Sequence, residues 1–401
     1  MEETSEDLEN QTYIYYNFNY SMYCKNYSLV ECHIGPIRDP LTTVIPMTLV
    51  YSIILMTGVL GNILTCIVIA HNRYMHTATN YYLFSLAVSD LLLLVLGLPQ
   101  EIYMLWYRYP YFFGESFCIL RGLSSEMCTN ASVLTITAFT VERYYAICHP
   151  FRAQVMSSLP RVVKTIVCIW FGAAVCALPT ALQLGISYHE YPEGGDILES
   201  ASCSVVSPIP HIFEFSTGMF YALPLLIISV LYVLIGLRLR RASIGSHPDS
   251  INDGNHVSKQ KMNSRKAVVK MLVAVVILFA LCWSPFHAQR LMAIYVEVTQ
   301  IPITVPLENI FNTLTYVSGI TYYLSATINP ILYQLLSVKF RQALKDTFTC
   351  SGGQTDSERE MTSLHCDNRN RIAVKKVSSV SYVGEDPRPN DVCDDPLLKE
   401  V

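Results

Sequence analysis

Residues 41–70 read LTTVIPMTLVYSIILMTGVLGNILTCIVIA, with no Asp, Glu, Lys or Arg anywhere in the stretch. An α-helix rises about 1.5 Å per residue, so about 20 apolar residues cross the hydrocarbon of a bilayer. This stretch exceeds that length, and a chain carrying it is expected to be an integral membrane protein. The rest of the sequence agrees. Only 15% of its 401 residues are charged, against roughly 25% in a soluble protein. A net charge of −4 leaves no basic excess to neutralise phosphates, which argues against a nucleic-acid partner.

Six more segments have the length and the apolar character of a span: 79–106, 115–147, 160–182, 211–240, 266–295 and 306–333. The expected fold is an all-α membrane protein, a seven-transmembrane helix bundle over 41–333. The third span is the least uniformly apolar and the seventh is rich in Thr, Ser and Tyr, so both are expected to face other helices. Pro99, Pro179, Pro224, Pro285 and Pro330 fall inside spans, where they are expected to kink the helices and serve as pivots.

Basic residues set the orientation. The connection 236–270 holds Arg238, Arg240, Arg241, Lys259, Lys261, Arg265, Lys266 and Lys270, and 148–164 holds Arg152, Arg161 and Lys164. The connection 183–210 has Glu190, Glu193, Asp196 and Glu199 and no Lys or Arg. The positive-inside rule places the first two in the cytoplasm, which puts residues 1–40 outside and 351–401 inside, at the plasma membrane. Residues 1–40 lack the basic start and apolar run of a cleaved signal peptide, so the first span is expected to act as the insertion signal. The outer tail carries three glycan acceptor motifs, at Asn10, Asn19 and Asn26. A fourth, Asn130-Ala-Ser132, lies inside the third span and is expected to go unused. Between the bundle and the inner tail, 334–350 contains an amphipathic segment with Phe340, Leu344 and Phe348 on one face, read as a membrane-surface helix contacting lipid. Cys350 behind it is a candidate palmitoylation site. Cys118 and Cys203 both fall on the oxidising side, where a bridge would pin the acidic loop across the bundle's mouth; Cys24 and Cys32 are another such pair. Sequence fixes neither connectivity.

Ionisable groups inside a membrane are costly and mark functional hypotheses. Asp90 sits mid-span in Leu86-Ala87-Val88-Ser89-Asp90, with Asn62 and Asn329 at comparable depth in the first and seventh spans. With Ser132 and Ser325 as neighbours, this carboxylate suits a sodium ion or a plain hydrogen-bond network between helices. At the inner end of the third span, Glu142 adjoins Arg143 and can neutralise it, and Arg143 has Tyr232 and Tyr333 within reach when helices move.

These residues resemble the rhodopsin-like (class A) G-protein-coupled receptors. The marks are Gly61-Asn62, Leu86 to Asp90, Glu142-Arg143-Tyr144, Trp170, Pro224 with Tyr232, Phe279 with Cys282-Trp283-Ser284-Pro285-Phe286, and Asn329-Pro330 with Tyr333, one set per helix in order. The resemblance implies a G-protein site beneath Arg143 and a rotamer-sensitive layer of Trp283 and Phe279 under the ligand. Arg265 departs from it: many members carry an acid there facing Arg143, so an inter-helix lock is not expected. No Lys falls between Lys270 and Lys339, which excludes retinal attachment in the seventh span.

Glu101, about 16 Å above Asp90 along its helix, and Glu126 are expected at similar height near the mouth, with Arg290 opposite. Paired carboxylates suit a ligand that carries an Arg; the competing reading is that either acid is solvated or pairs with Arg290. Phe286, His287 and Tyr323 are expected to line the lower pocket by position. A closer resemblance, to neuromedin U receptors and the arthropod pyrokinin and CAPA-peptide receptors, rests on Gly97-Leu98-Pro99-Gln100-Glu101, Trp106 to Tyr111, Phe113-Gly114-Glu115, Cys118 to Gly122 and Thr135 to Tyr144. It implies an amidated peptide ligand with an Arg near its C-terminus, a G protein of the Gq class, phospholipase C and calcium release. Ser357, Thr362, Ser363, Ser378, Ser379 and Ser381 are candidate phosphosites for arrestin binding. A ghrelin- or neurotensin-type peptide is the nearest rival ligand. A transporter is the rival from another class, but no internal repeat supports it. No metal-ligand cluster, phosphate loop or nucleophile–base pair points to an enzyme, and no cofactor beyond the sodium ion is expected.

Overall fold

The structure, a computed structural model, describes residues 31, 35–151, 153, 158–190, 195–244, 255–299, 304–336 and 338–349. The tail motifs at Asn10, Asn19 and Asn26, the cysteines Cys24, Cys32 and Cys350, the tail phosphosites and the side chains of Arg265 and Tyr333 lie outside the described residues.

Long helices follow one another: α1 (Leu41–His71), α2 (Ala78–Trp106), α3 (Glu115–Cys148) and α4 (Leu159–Leu182). Next, α5 runs through Ile212–Thr217, a π-helical turn at Gly218–Ala222, and Leu223–Ile244. It is followed by α6 (Asn255–Thr299) and α7 (Val305–Leu336), and then by the short α8 (Val338–Thr349). Local chemistry sets several of these boundaries. The Thr77 hydroxyl caps α2 by accepting from the Asn80 N–H. The π turn of α5 stands directly before Pro224, whose missing N–H and bulky ring disfavour a regular turn there. The 45 residues of α6 extend well past the expected 266–295, because hydropathy ends where Arg265 and Lys266 begin while backbone hydrogen bonding continues.

The ring closes around α3, which packs on α2, α4 and α5; α6 lies between α5 and α7, and α7 returns to α1 and α2. On α1, Leu49, Ile53, Met56 and Leu60 face outward, each more than half exposed, while Tyr51, Ile54, Gly58, Asn62 and Thr65 face in. Both stripes follow helical spacing, but with lipid outside and protein inside it is the inner one that holds the polar residues. Among the described residues, five helices are long and apolar enough to cross a membrane: α1, α2, α4, α5 and the Ala274–Val296 part of α6. The bundle of seven helices stands as expected, and α3 and α7 are its less apolar members. The third and seventh helices have the length, 34 and 32 residues, but not the apolarity. The reason is that α3 buries Ser124, Glu126, Thr129, Asn130, Ser132 and Thr140 against protein rather than lipid. Asn130, at 1% exposure, is closed to glycosylation.

One element is not helical. Strands β1 (Leu184–Glu190) and β2 (Asp196–Val205) form an antiparallel hairpin with Leu184 opposite Val205 and Ile186 opposite Cys203. Gly195, at φ 102°, supplies the left-handed backbone that such a turn demands. The all-α expectation did not include this hairpin. A disulfide joins Cys203 to Cys118 near the start of α3, holding the hairpin across the end of the bundle where α1 begins. At the opposite end, Phe340 and Ala343 of α8 are buried against Val68, Ile69, Met75 and Leu83, while Phe348 remains 59% exposed.

Candidate functional site

Beneath the hairpin lies a cavity of about 1020 Å³, walled by α2, α3, α5, α6, α7 and the connection that follows β2. Glu101, Glu126, Phe286, Arg290 and Tyr323 all line it. His287 does not. One helical step of about 100° from Phe286 turns it toward α5, where its Nδ1 lies 3.1 Å from the Thr217 hydroxyl and its ring stacks on Tyr221 at 5.0 Å. It is 2% exposed. Placement in the lower pocket wall is thus corrected for His287.

Glu101 and Glu126 each already have a cation. Arg121 Nη1 donates to Glu101 Oε1 at 2.9 Å, and Arg290 pairs with Glu126. The guanidinium of Arg290 is further sandwiched, 4.3 Å from the ring centre of Phe286 and 5.1 Å from that of Phe213, a geometry that fixes a planar cation. Arg121 Nε and Arg290 Nη1 are buried without a hydrogen-bond partner. Unsatisfied donors of this kind are costly, and an acceptor oxygen arriving in the cavity would relieve them. Arg121 was not among the residues expected from sequence. Its only signal was an arginine in the apolar run Cys118-Ile119-Leu120-Arg121, at the mouth end of the third span.

Below the cavity stands a column of rings. Phe286 stacks on Tyr322 at 4.6 Å; Tyr322 meets Trp283 edge-on at 5.8 Å; Trp283 lies 6.2 Å from Phe279. The Tyr322 hydroxyl is 2.8 Å from the Thr129 hydroxyl on α3. Phe286, on the cavity wall, is thus linked to Trp283 through ring contacts. Tyr323, one step on, lies against α2: a Cβ on Gly97 would come within 2.7 Å of its hydroxyl, so only glycine leaves room there.

Deeper still, Asp90 is 2% exposed. It accepts from Asn329 Nδ2 at 3.0 Å and from the Ser132 hydroxyl at 3.5 Å, and Ser132 lies 2.8 Å from the Ser89 hydroxyl. Two expected members stay apart from this cluster. Ser325 donates to the carbonyl of Tyr322, a local bond typical of a serine within a helix. Asn62 donates to the carbonyls of Gly58 and Ala326, both at 2.9 Å, tying α1 to α7. At the far end, Arg143 hydrogen-bonds Thr79 of α2 and lies 3.6 Å from Glu142. Tyr232 accepts from Thr140 at 3.1 Å. Pro330 packs on α1, 3.0 Å from where a Cβ on Gly61 would stand.

Residues 61–333 match the 7 transmembrane receptor (rhodopsin family). The chain belongs to that family. It is a multi-pass membrane protein of the G-protein-coupled receptor class, and the family is one of receptors rather than enzymes. The receptor is 46% identical over 358 residues to the Drosophila melanogaster pyrokinin-1 receptor, covering 78% of this chain and 81% of the relative. It is 40% identical over 348 residues to the Mus musculus neuromedin-U receptor 2, covering 86% and 85%. A neuromedin U receptor homolog of Caenorhabditis elegans matches at 39% over 320 residues, covering 75% and 78%. In this receptor, sequence alone missed Arg121, Tyr322 and Asp39, a further acid on the cavity wall. Arg121 falls within the Cys118 to Gly122 stretch but was not singled out there, and each of the three gains its place through packing.

Proposed function

We propose that this receptor binds an amidated peptide carrying an Arg near its C-terminus and signals through a heterotrimeric G protein of the Gq class, with phospholipase C and calcium release downstream. The observation that carries the proposal is the pairing, on the cavity wall, of Glu101 with Arg121 and of Glu126 with Arg290. The names of the pyrokinin and neuromedin U relatives support the peptide class. The peptide's guanidinium competes with Arg121 for Glu101 and with Arg290 for Glu126. The displaced or half-used arginines take the peptide's terminal carbonyl oxygens on their unpartnered N–H groups. Contacts against Phe286 then bias the ring column and the segment of α6 at Pro285. A ligand shifts such an equilibrium only through its differential affinity, and moving it from 1:99 to 99:1 takes about 5.5 kcal/mol.

Losing one partner of a desolvated charge pair costs about 2–5 kcal/mol. Glu126→Gln should therefore lower the potency of the Arg-containing peptide by about thirtyfold or more. Glu101→Gln, at a more exposed carboxylate, should lower it less. The citrulline analogue should be affected far less by either. Calcium responses of cells bearing each variant at matched surface levels measure this. Equal losses for both peptides would refute the pairing.

In the same reading the N-terminus is outside at the plasma membrane, Asn10, Asn19 and Asn26 carry glycans, Cys350 is palmitoylated, and the phosphorylated 351–401 tail recruits arrestin. Asp90 is a buried carboxylate with no cation paired to it among the described residues, and its charge has to be balanced. Its own oxygens with those of Ser132 and Ser89 form a hard donor set suited to a sodium ion.

A further inference from the structure

We propose that Asp39 forms a second cation subsite at the cavity rim, taking a basic side chain that the peptide carries on the outer side of its buried end. The inference rests on the ligand being a peptide. Asp39 belongs to the cavity wall. One carboxylate oxygen accepts from Arg108 Nη2 at 2.8 Å and the other from the hydroxyl of Tyr316 on α7.

Three acid–arginine pairs line the cavity among the described residues, and this one has the most exposed arginine. The side chains of Arg108 and Asp39 are 52% and 31% exposed, against 22% and 37% for Arg121 and Glu101 and 21% and 5% for Arg290 and Glu126. An exposed pair is weakly held, and a released Arg108 returns directly to water. A ligand ammonium or guanidinium thus replaces Arg108 here more readily than it replaces Arg290. Asp39 also keeps its place without the pair. The Arg108 backbone N–H donates to the carbonyl of Ile37 at 2.9 Å, and the Tyr109 hydroxyl donates to the carbonyl of Gly35. Arg38 lies 5.7 Å over the Trp106 ring, which is itself anchored to the Thr48 hydroxyl at 3.0 Å. Segment 35–40 is in this way strapped across the ends of α1 and α2 while the Arg108 side chain comes and goes. Tyr316 remains to orient the carboxylate toward its new partner.

The test uses the full receptor and amidated peptides with a constant C-terminal Arg, in which Arg or citrulline is scanned through the upstream positions. G-protein activation is read for wild type, Asp39→Asn and Arg108→Gln. Wild type should prefer Arg over citrulline at one upstream position by about two- to fivefold. Asp39→Asn should erase that preference, and Arg108→Gln, which removes the internal competitor, should widen it. If both variants instead lower the potency of all peptides alike, the strap is only structural and the subsite is overturned. Wild-type responses with no preference at any position overturn the subsite alone. Failure of every peptide to activate wild type overturns the peptide reading and the subsite with it.

Discussion

At the scale of single residues, the acids in this bundle differ in what balances them. Glu101 and Glu126 each face an arginine on another helix, the arrangement on which the proposed exchange with a ligand cation rests. Asp90 has amide and hydroxyl neighbours among the described residues, which is the basis for proposing it as the holder of a sodium ion. A ligand that binds only the folded state stabilises it by an amount that grows with concentration. Replacing sodium by N-methylglucamine at constant ionic strength should therefore lower the melting temperature of the purified receptor, and Asp90→Asn should remove the difference. A sodium effect that survives in Asp90→Asn places the ion elsewhere. Glu101, Glu126 and Arg290 were legible in the sequence, since charges are few in the spans. Arg121 was not legible as a partner, because a long flexible side chain chooses its acceptor only once α2 and α3 are packed.

At the scale of elements, α8 shows what burial does for a short helix. Twelve residues are too few for an isolated helix to persist in water. Phe340 supplies the anchor at 1% exposure, and two polar contacts flank it: Tyr74 donates to Asp346 at 2.9 Å and Asn72 to Thr347 at 2.9 Å. Burial and the bond to Asp346 push the Tyr74 phenol up to about 12. Its proton is thus kept through the pH range in which an ordinary phenol ionises, and the Tyr74 donor is lost only as pH rises toward that value. Phe340→Ala should cost about 3–5 kcal/mol locally. Hydrogen exchange should then accelerate in α8 and leave α2 and α3 unchanged. Unchanged exchange in α8 would show that lipid, not this pocket, holds the helix. The amphipathic pattern of 337–348 was readable, but which apolar residue enters the protein was not: Phe340 is buried against Val68, Ile69, Met75 and Leu83 while Phe348 faces out.

For the molecule as a whole, the disulfide between Cys118 and Cys203 joins positions 85 residues apart, but the helices between them are already fixed by packing. Its breakage should therefore loosen the hairpin over the cavity more than it unfolds the bundle. Cys203→Ser should lower peptide potency by about tenfold or more, equivalent to about 1.4 kcal/mol, with helical content by circular dichroism unchanged. Global loss of helix would contradict this. Sequence by itself determined the class, the seven helices and their order, because a bilayer allows little else for long uncharged stretches. It also marked the acids, because desolvation makes an intramembrane charge rare. It did not determine that the acidic loop is a hairpin, or that Glu101 is already paired with Arg121 and Asp39 with Arg108. Those outcomes depend on which helix faces meet. Where lipid and protein interior are both apolar, hydropathy cannot tell one face from the other, and only the packed structure shows which charges come within reach.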